Sequence, residues 1–76
     1  MIFILLEQVF NGTVTMSVSP TGVEANSFKE AVDKVKKELK TLPHKVEIKF
    51  DDDNKFQYSI EHDLVGRMKK TPLKIL

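Results

Sequence analysis

Residues 2–10, "IFILLEQVF", are apolar at odd and even positions alike, and no other feature constrains the fold as much. Alternate side chains of a strand point to opposite faces, so a run greasy at both parities wants apolar surroundings on both sides. The next stretch is different. Val14, Met16 and Val18 alternate with Thr13, Thr15, Ser17 and Ser19, the pattern of a half-buried strand with a hydroxyl-rich outer face. Asn11-Gly12 stands between the two, the dipeptide favoured where a tight hairpin needs positive φ at both central residues. Strands of one hairpin share the same two faces. One apolar stripe of the first strand therefore lies where its partner is polar.

A two-residue turn at Asn11-Gly12 sets Val14 opposite Val9, Met16 opposite Glu7 and Val18 opposite Leu5. Phe3, Leu5 and Val9 then share the covered face, and Ile2, Ile4, Leu6 and Phe10 are left on the other. A turn longer by one residue exchanges the two stripes.

Further along, Pro20-Thr21-Gly22 closes the second strand. Ser27 followed by Glu30 reads as a capping box, and Phe28, Ala31, Val32, Val35, Leu39 and Leu42 recur at helical spacing up to the stop at Pro43. Residues 45–50 and 56–61 form a second hairpin that sets Phe50 against Phe56, Ile48 against Tyr58 and Val46 against Ile60. Residues 62–71 are polar and punctuated by Gly66, and Pro72 precedes a last apolar segment, "LKIL". The expected architecture is α+β: ββαββ with a short C-terminal strand, one helix packed on one face of a four- to five-stranded mixed sheet, all within a single domain, 1–76. Strand one is central, and "LKIL" is its candidate second neighbour.

The chain has 76 residues and no cysteine, which leaves room for one core and excludes disulfides, thiolate metal sites and a cysteine nucleophile. The apolar start lacks a basic n-region and a small-residue cleavage site, and it breaks at Glu7-Gln8. No segment approaches the ~20 apolar residues of a membrane span. A cytoplasmic protein without a membrane partner is the default expectation. The net charge of +1 conceals segregation. Residues 27–49 and 64–76 are basic, residues 50–63 acidic. Such patches can steer a partner, although the near-neutral total argues against a dedicated nucleic-acid binder.

Reaction chemistry finds little foothold. "DDDN" at 51–54 lacks the glycine and the twelfth-position glutamate of a calcium loop, and it suits a hairpin turn. His44 and His62 have neither an i,i+4 partner nor a cysteine. Glu61-His62-Asp63 diverges if its strand continues. Three scattered glycines make no phosphate loop, and no serine stands in a nucleophile elbow. The expectation is a non-enzyme with no catalytic residues, no metal, no cofactor and no small-molecule substrate.

Two family resemblances bear on this. Hairpin, proline, capped helix, two strands and a short last strand, together with "GTVTMSVSP" as second strand, resemble ubiquitin-like β-grasp domains over most of the chain. The resemblance implies a central first strand beside a parallel last strand, and an apolar outer face that recruits partners. The sequence ends Lys74-Ile75-Leu76 without a diglycine tail, so the scaffold and its mode of binding are implied rather than conjugation. "GVEANSFKEAVDKVKKEL", about a third of the chain, is similar to the strand-to-helix segment of HicB-type antitoxins, which implies a toxin-neutralising partner role.

The function expected is therefore that of a small protein-binding module, an adaptor or an inhibitor, acting through Ile2, Ile4, Leu6 and Phe10. Two other fates of the stripe stay open: residues 62–72 fold across it, or a homodimer consumes it. The alternative function is nucleic-acid binding through Lys29, Lys36 and Lys40 on the helix edge and Arg67, Lys69 and Lys70 in the tail. Phe56 and Tyr58, on one side of a strand, could serve as an RNA-stacking platform, but their places opposite Phe50 and Ile48 favour core packing.

Overall fold

The computed structural model describes residues 1–11, 14–61 and 64–73. Gly12 and Thr13 of the expected turn, His62 and Asp63, and Lys74 to Leu76 of the tail lie outside the described residues, as do the side chains of residues 11 and 14–17. The elements are β1 (Ile2–Asn11), β2 (Val14–Glu24), α1 (Phe28–Lys40), β3 (Val46–Asp51), β4 (Lys55–Ile60) and β5 (Leu64–Lys69). The strands form one sheet in the order β2-β1-β5-β4-β3, with every neighbouring pair antiparallel.

The connections account for three of the four pairings, and the β1–β5 pair joins the two hairpin units into one sheet. Short hairpins join β1 to β2, β3 to β4 and β4 to β5, and a short hairpin can only produce an antiparallel pair. Alternation across five strands leaves the two edges, β2 and β3, running in the same direction. The helix is the crossover that joins them. Among the described residues the α+β class and the single helix match the sequence reading, but the sheet is antiparallel throughout rather than mixed. The parallel last strand implied by the β-grasp resemblance is replaced by β5, which pairs antiparallel with β1 from Leu5↔Met68 to Val9↔Leu64. Residues 64–69 therefore do not lie across a sheet face; they stand in the sheet beside β1. Strand one is central as expected, and β5 is its second neighbour from Leu5 to Val9; of "LKIL", Leu73 bridges Ile2, and residues 74–76 lie outside the described residues.

The helix follows its sequence signals closely. Ser27 Oγ accepts the Glu30 N–H at 3.1 Å. The Glu30 carboxylate accepts from Asn26 N–H, at 2.7 Å, so the returning half of the capping box is displaced by one residue. Ala31, Val32, Val35 and Leu39 face inward onto Phe3 and Leu5 of β1, Phe56 and Tyr58 of β4, and Met68 of β5. Phe28 leans on Phe3, with ring centroids 5.9 Å apart. Leu42 lies past the helix end and is exposed. Gly66 sits directly beneath the Tyr58 ring, and a Cβ there would collide with Cζ. A glycine inside a strand commonly marks such a close approach.

Two β-bulges change the register. The last pair of the first hairpin is Asn11↔Val14, followed by Phe10↔Thr15 and then Val9↔Ser17, which leaves Met16 as the extra residue. Beyond the bulge Gln8, not Leu5, faces Val18. Val18 is turned to the outer face, 51% exposed, and Ser19 and Thr21 take the helix side. The strand also runs on through Pro20 to Glu24. An edge strand tolerates that proline because one side of it needs no ladder bond. In the second hairpin Val46↔Ile60 and Ile48↔Tyr58 pair as expected, but Lys49 is extra. Phe50 consequently faces Gln57 rather than Phe56, and Asp51 takes the place opposite Phe56.

Candidate functional site

Alternation along β1 fixes the site. Phe3 and Leu5 are buried under the helix, so Ile2, Ile4, Leu6, Gln8 and Phe10 belong to the outer face, where Ile2, Ile4, Leu6 and Phe10 are half-buried. Their neighbours are set by register. On the β2 side Ile4 is opposite Gly22, Leu6 opposite Pro20 and Gln8 opposite Val18. On the other side Arg67 faces Leu6 and Val65 faces Gln8. One strand further out, Gln57 faces Arg67 and Lys55 faces Lys69. Gly22 presents no side chain on that edge, and a Cβ there would stand 3.2 Å from Ile2 Cγ2. On the opposite side a shallow depression of about 350 Å³ is lined by Ile4, Leu6, Lys55, Gln57, Arg67 and Lys69.

Its charge is one-sided. Arg67, Lys69 and Lys55 are all exposed, and among the described residues none has a carboxylate within ion-pair distance. Lys55 and Lys69 stand directly opposite each other, a like-charge cross-strand pair of the kind that destabilises a sheet. The Lys55 ammonium rests 3.8 Å from the centroid of the Phe50 ring, which compensates part of that cost. The bulge at Lys49 makes this contact by turning Phe50, 43% exposed, to the outer face.

The six basic residues considered for nucleic acid do not gather on one surface. Arg67 and Lys69 share the outer face with the aliphatic stripe. Lys36 is paired with Asp51 beside the helix, in a groove that also holds Lys29, Lys70, Asp33, Asp52 and Asp53. Lys40 lies further along the helix near Leu42 and His44, in a hollow that Lys36 also borders. Phe56 and Tyr58 are buried on the helix face, with centroids 5.7 Å apart, so they offer no platform to a base.

The acidic loop has structural work. The Asp52 carboxylate accepts the Asn54 N–H at 2.8 Å and the Lys55 N–H at 2.9 Å, and these two bonds lower its pKa below the usual 3.8. Among the described residues no three His, Asp or Glu side chains converge as metal ligands. His44 Nδ1 is 3.4 Å from the exposed Glu61 carboxylate. Nor is any described helix long and apolar enough to cross a membrane.

Lys55, Gln57, Phe50 and Val65 join the site only once the strands are placed. The first two were legible, since Lys55 and Gln57 flank the inward-facing Phe56 in a recognisable strand. Phe50 needed the bulge, and Val65 needed a strand that Gly66 and three basic residues disguise. No protein-family model, curated protein or solved structure matches the chain.

Proposed function

We propose that this protein is a non-enzymatic binding module, an adaptor or an inhibitor, which engages another protein through the outer face of its sheet. The observation that carries the reading is the continuous aliphatic stripe Ile2-Ile4-Leu6 on the face opposite the helix, extended by Phe10 and Val18 and bordered by cations. Fully burying a side chain of this class is worth roughly 1.5–3 kcal/mol, so a half-buried row holds binding energy in reserve. A contiguous row of partly exposed apolar side chains is the kind of surface that supports a contact.

The sheet edges are poorer candidates. β2 carries Pro20, and β3 is short, bulged and charged at Glu47 and Lys49, all devices that discourage strand addition. Nucleic acid is the weaker alternative for this face. Its centre is aliphatic, whereas single strands are gripped by stacking on aromatic rings.

Site-specific photo-crosslinking tests the proposal. A photoreactive residue at Gln57, in the middle of the outer face, should capture a protein adduct that disappears in the Leu6→Asp variant. The same residue at Lys37, on the solvent side of the helix, should not. Adducts from Lys37 alone, or adducts at Gln57 indifferent to Leu6→Asp, would remove the outer face as the docking surface.

A further inference from the structure

We infer that the segment received by this face is acidic as well as aliphatic: one or two Leu, Ile or Val side chains over Ile4 and Leu6, flanked by Asp or Glu carboxylates over Lys55, Arg67 and Lys69. The inference rests on the reading of the outer face as a docking surface and specifies its partner. Its basis is charge complementarity. Three exposed cations border one depression, none with a carboxylate within reach among the described residues, and two oppose each other across neighbouring strands. Within the chain, the Phe50 ring under Lys55 and the longer-range attraction between Lys55 and Asp52 offset only part of that repulsion. Carboxylates supplied by a partner would convert it into attraction, and partly excluding water would strengthen the contact. Arg67, with its planar fork of donors, is suited to hold one carboxylate by two bonds.

The same charges argue against a second copy. Two outer faces docked about a two-fold axis would bring six cations together over one shared apolar patch. They also bear on phosphate ligands, because a nucleic-acid strand would satisfy the cations while leaving Ile4 and Leu6 against sugar and base edges.

A random peptide library displayed on phage tests this with the full chain as bait. Selection should enrich peptides that combine aliphatic residues with net negative charge, and their binding should be lost in Leu6→Asp. Circular dichroism establishes whether that variant is folded. The decisive variant is the doubly reversed Arg67→Glu/Lys69→Glu, both exposed sites. It should weaken the enriched peptides about tenfold or more, and its own selection should favour lysine- and arginine-containing peptides. Peptides that need Leu6 but carry no acidic bias would overturn the charge assignment while leaving the docking face standing. Failure to enrich any peptide dependent on Leu6 would overturn both. Displacement of the enriched peptides by an equal concentration of oligothymidylate would show that the cations read phosphate, and would equally overturn the inference.

Discussion

The Tyr58 hydroxyl donates to the Glu7 carboxylate at 3.0 Å, joining β4 to β1 across the strand that lies between them. The ring can cross β5 only because residue 66 is glycine. This contact ties the central strand to the second hairpin on the helix side, and so steadies the other face, where Leu6, Arg67 and Gln57 lie in a row. Its disruption should be costly. Gly66→Ala forces the buried ring to move, at about 1–3 kcal/mol. Tyr58→Phe removes a bond to a charged acceptor, at about 1.5 kcal/mol. Urea unfolding of both single variants and the double variant checks this, and the two losses should fail to add.

Alkaline pH should expose the same contact. Burial, then the charge and hydrogen bond of Glu7, raise the Tyr58 pKa above its usual 10.0. A group with a raised folded pKa keeps its proton in the native state while the unfolded state loses it. Stability is therefore complete below about pH 10 and falls as pH rises beyond that. Tyr58 is the only tyrosine, so phenolate absorbance reports on it alone. The absorbance should rise together with unfolding, and Tyr58→Phe should flatten the alkaline loss of stability. A native protein that ionises near pH 10 would contradict this.

Lys69→Glu should stabilise the protein. It replaces the like-charge pair with Lys55 by an opposite-charge cross-strand pair, worth about 0.2–1 kcal/mol in favour of the fold. Thermal unfolding measures the gain. The same variant should bind acidic peptides less well, because surfaces kept for binding are commonly not optimised for stability.

Glu61 follows β4 with φ of 52°, the left-handed region that asparagine tolerates far better than glutamate. Glu61→Asn should raise stability by about 0.5–1 kcal/mol, read from the urea midpoint. Its exposed contact with His44 is worth little, so losing it should not cancel the gain.

Much of this architecture could be read from short-range pattern. The Ser27 cap and its apolar stripe give the helix, and the two-faced β1 requires a central strand with one face left outside the core. What escaped depends on single residues whose effects are not local. Met16 and Lys49, each inserted without a partner, reverse the facing of Val18 and Phe50. Neither bulge carries a glycine or proline to announce it. β5 was hidden because Gly66, set between the inward-facing Leu64 and Met68, looks like a loop residue until Tyr58 is placed above it. The outer stripe was legible from alternation. Its cationic border required strand order, which no local pattern contains.

The most direct test of the central claim compares two neighbours on β1. Leu5 is buried under the helix and Leu6 is half-buried on the outer face. Leu5→Asp and Leu6→Asp place the same charge one residue apart, and far-ultraviolet circular dichroism with thermal unfolding reads the consequence. Leu5→Asp should be unfolded at room temperature, because it buries an unpaired carboxylate in the core. Leu6→Asp should keep the native spectrum and a cooperative transition close to that of the wild type. If Leu6→Asp unfolds as Leu5→Asp does, the outer stripe is core and not a docking surface.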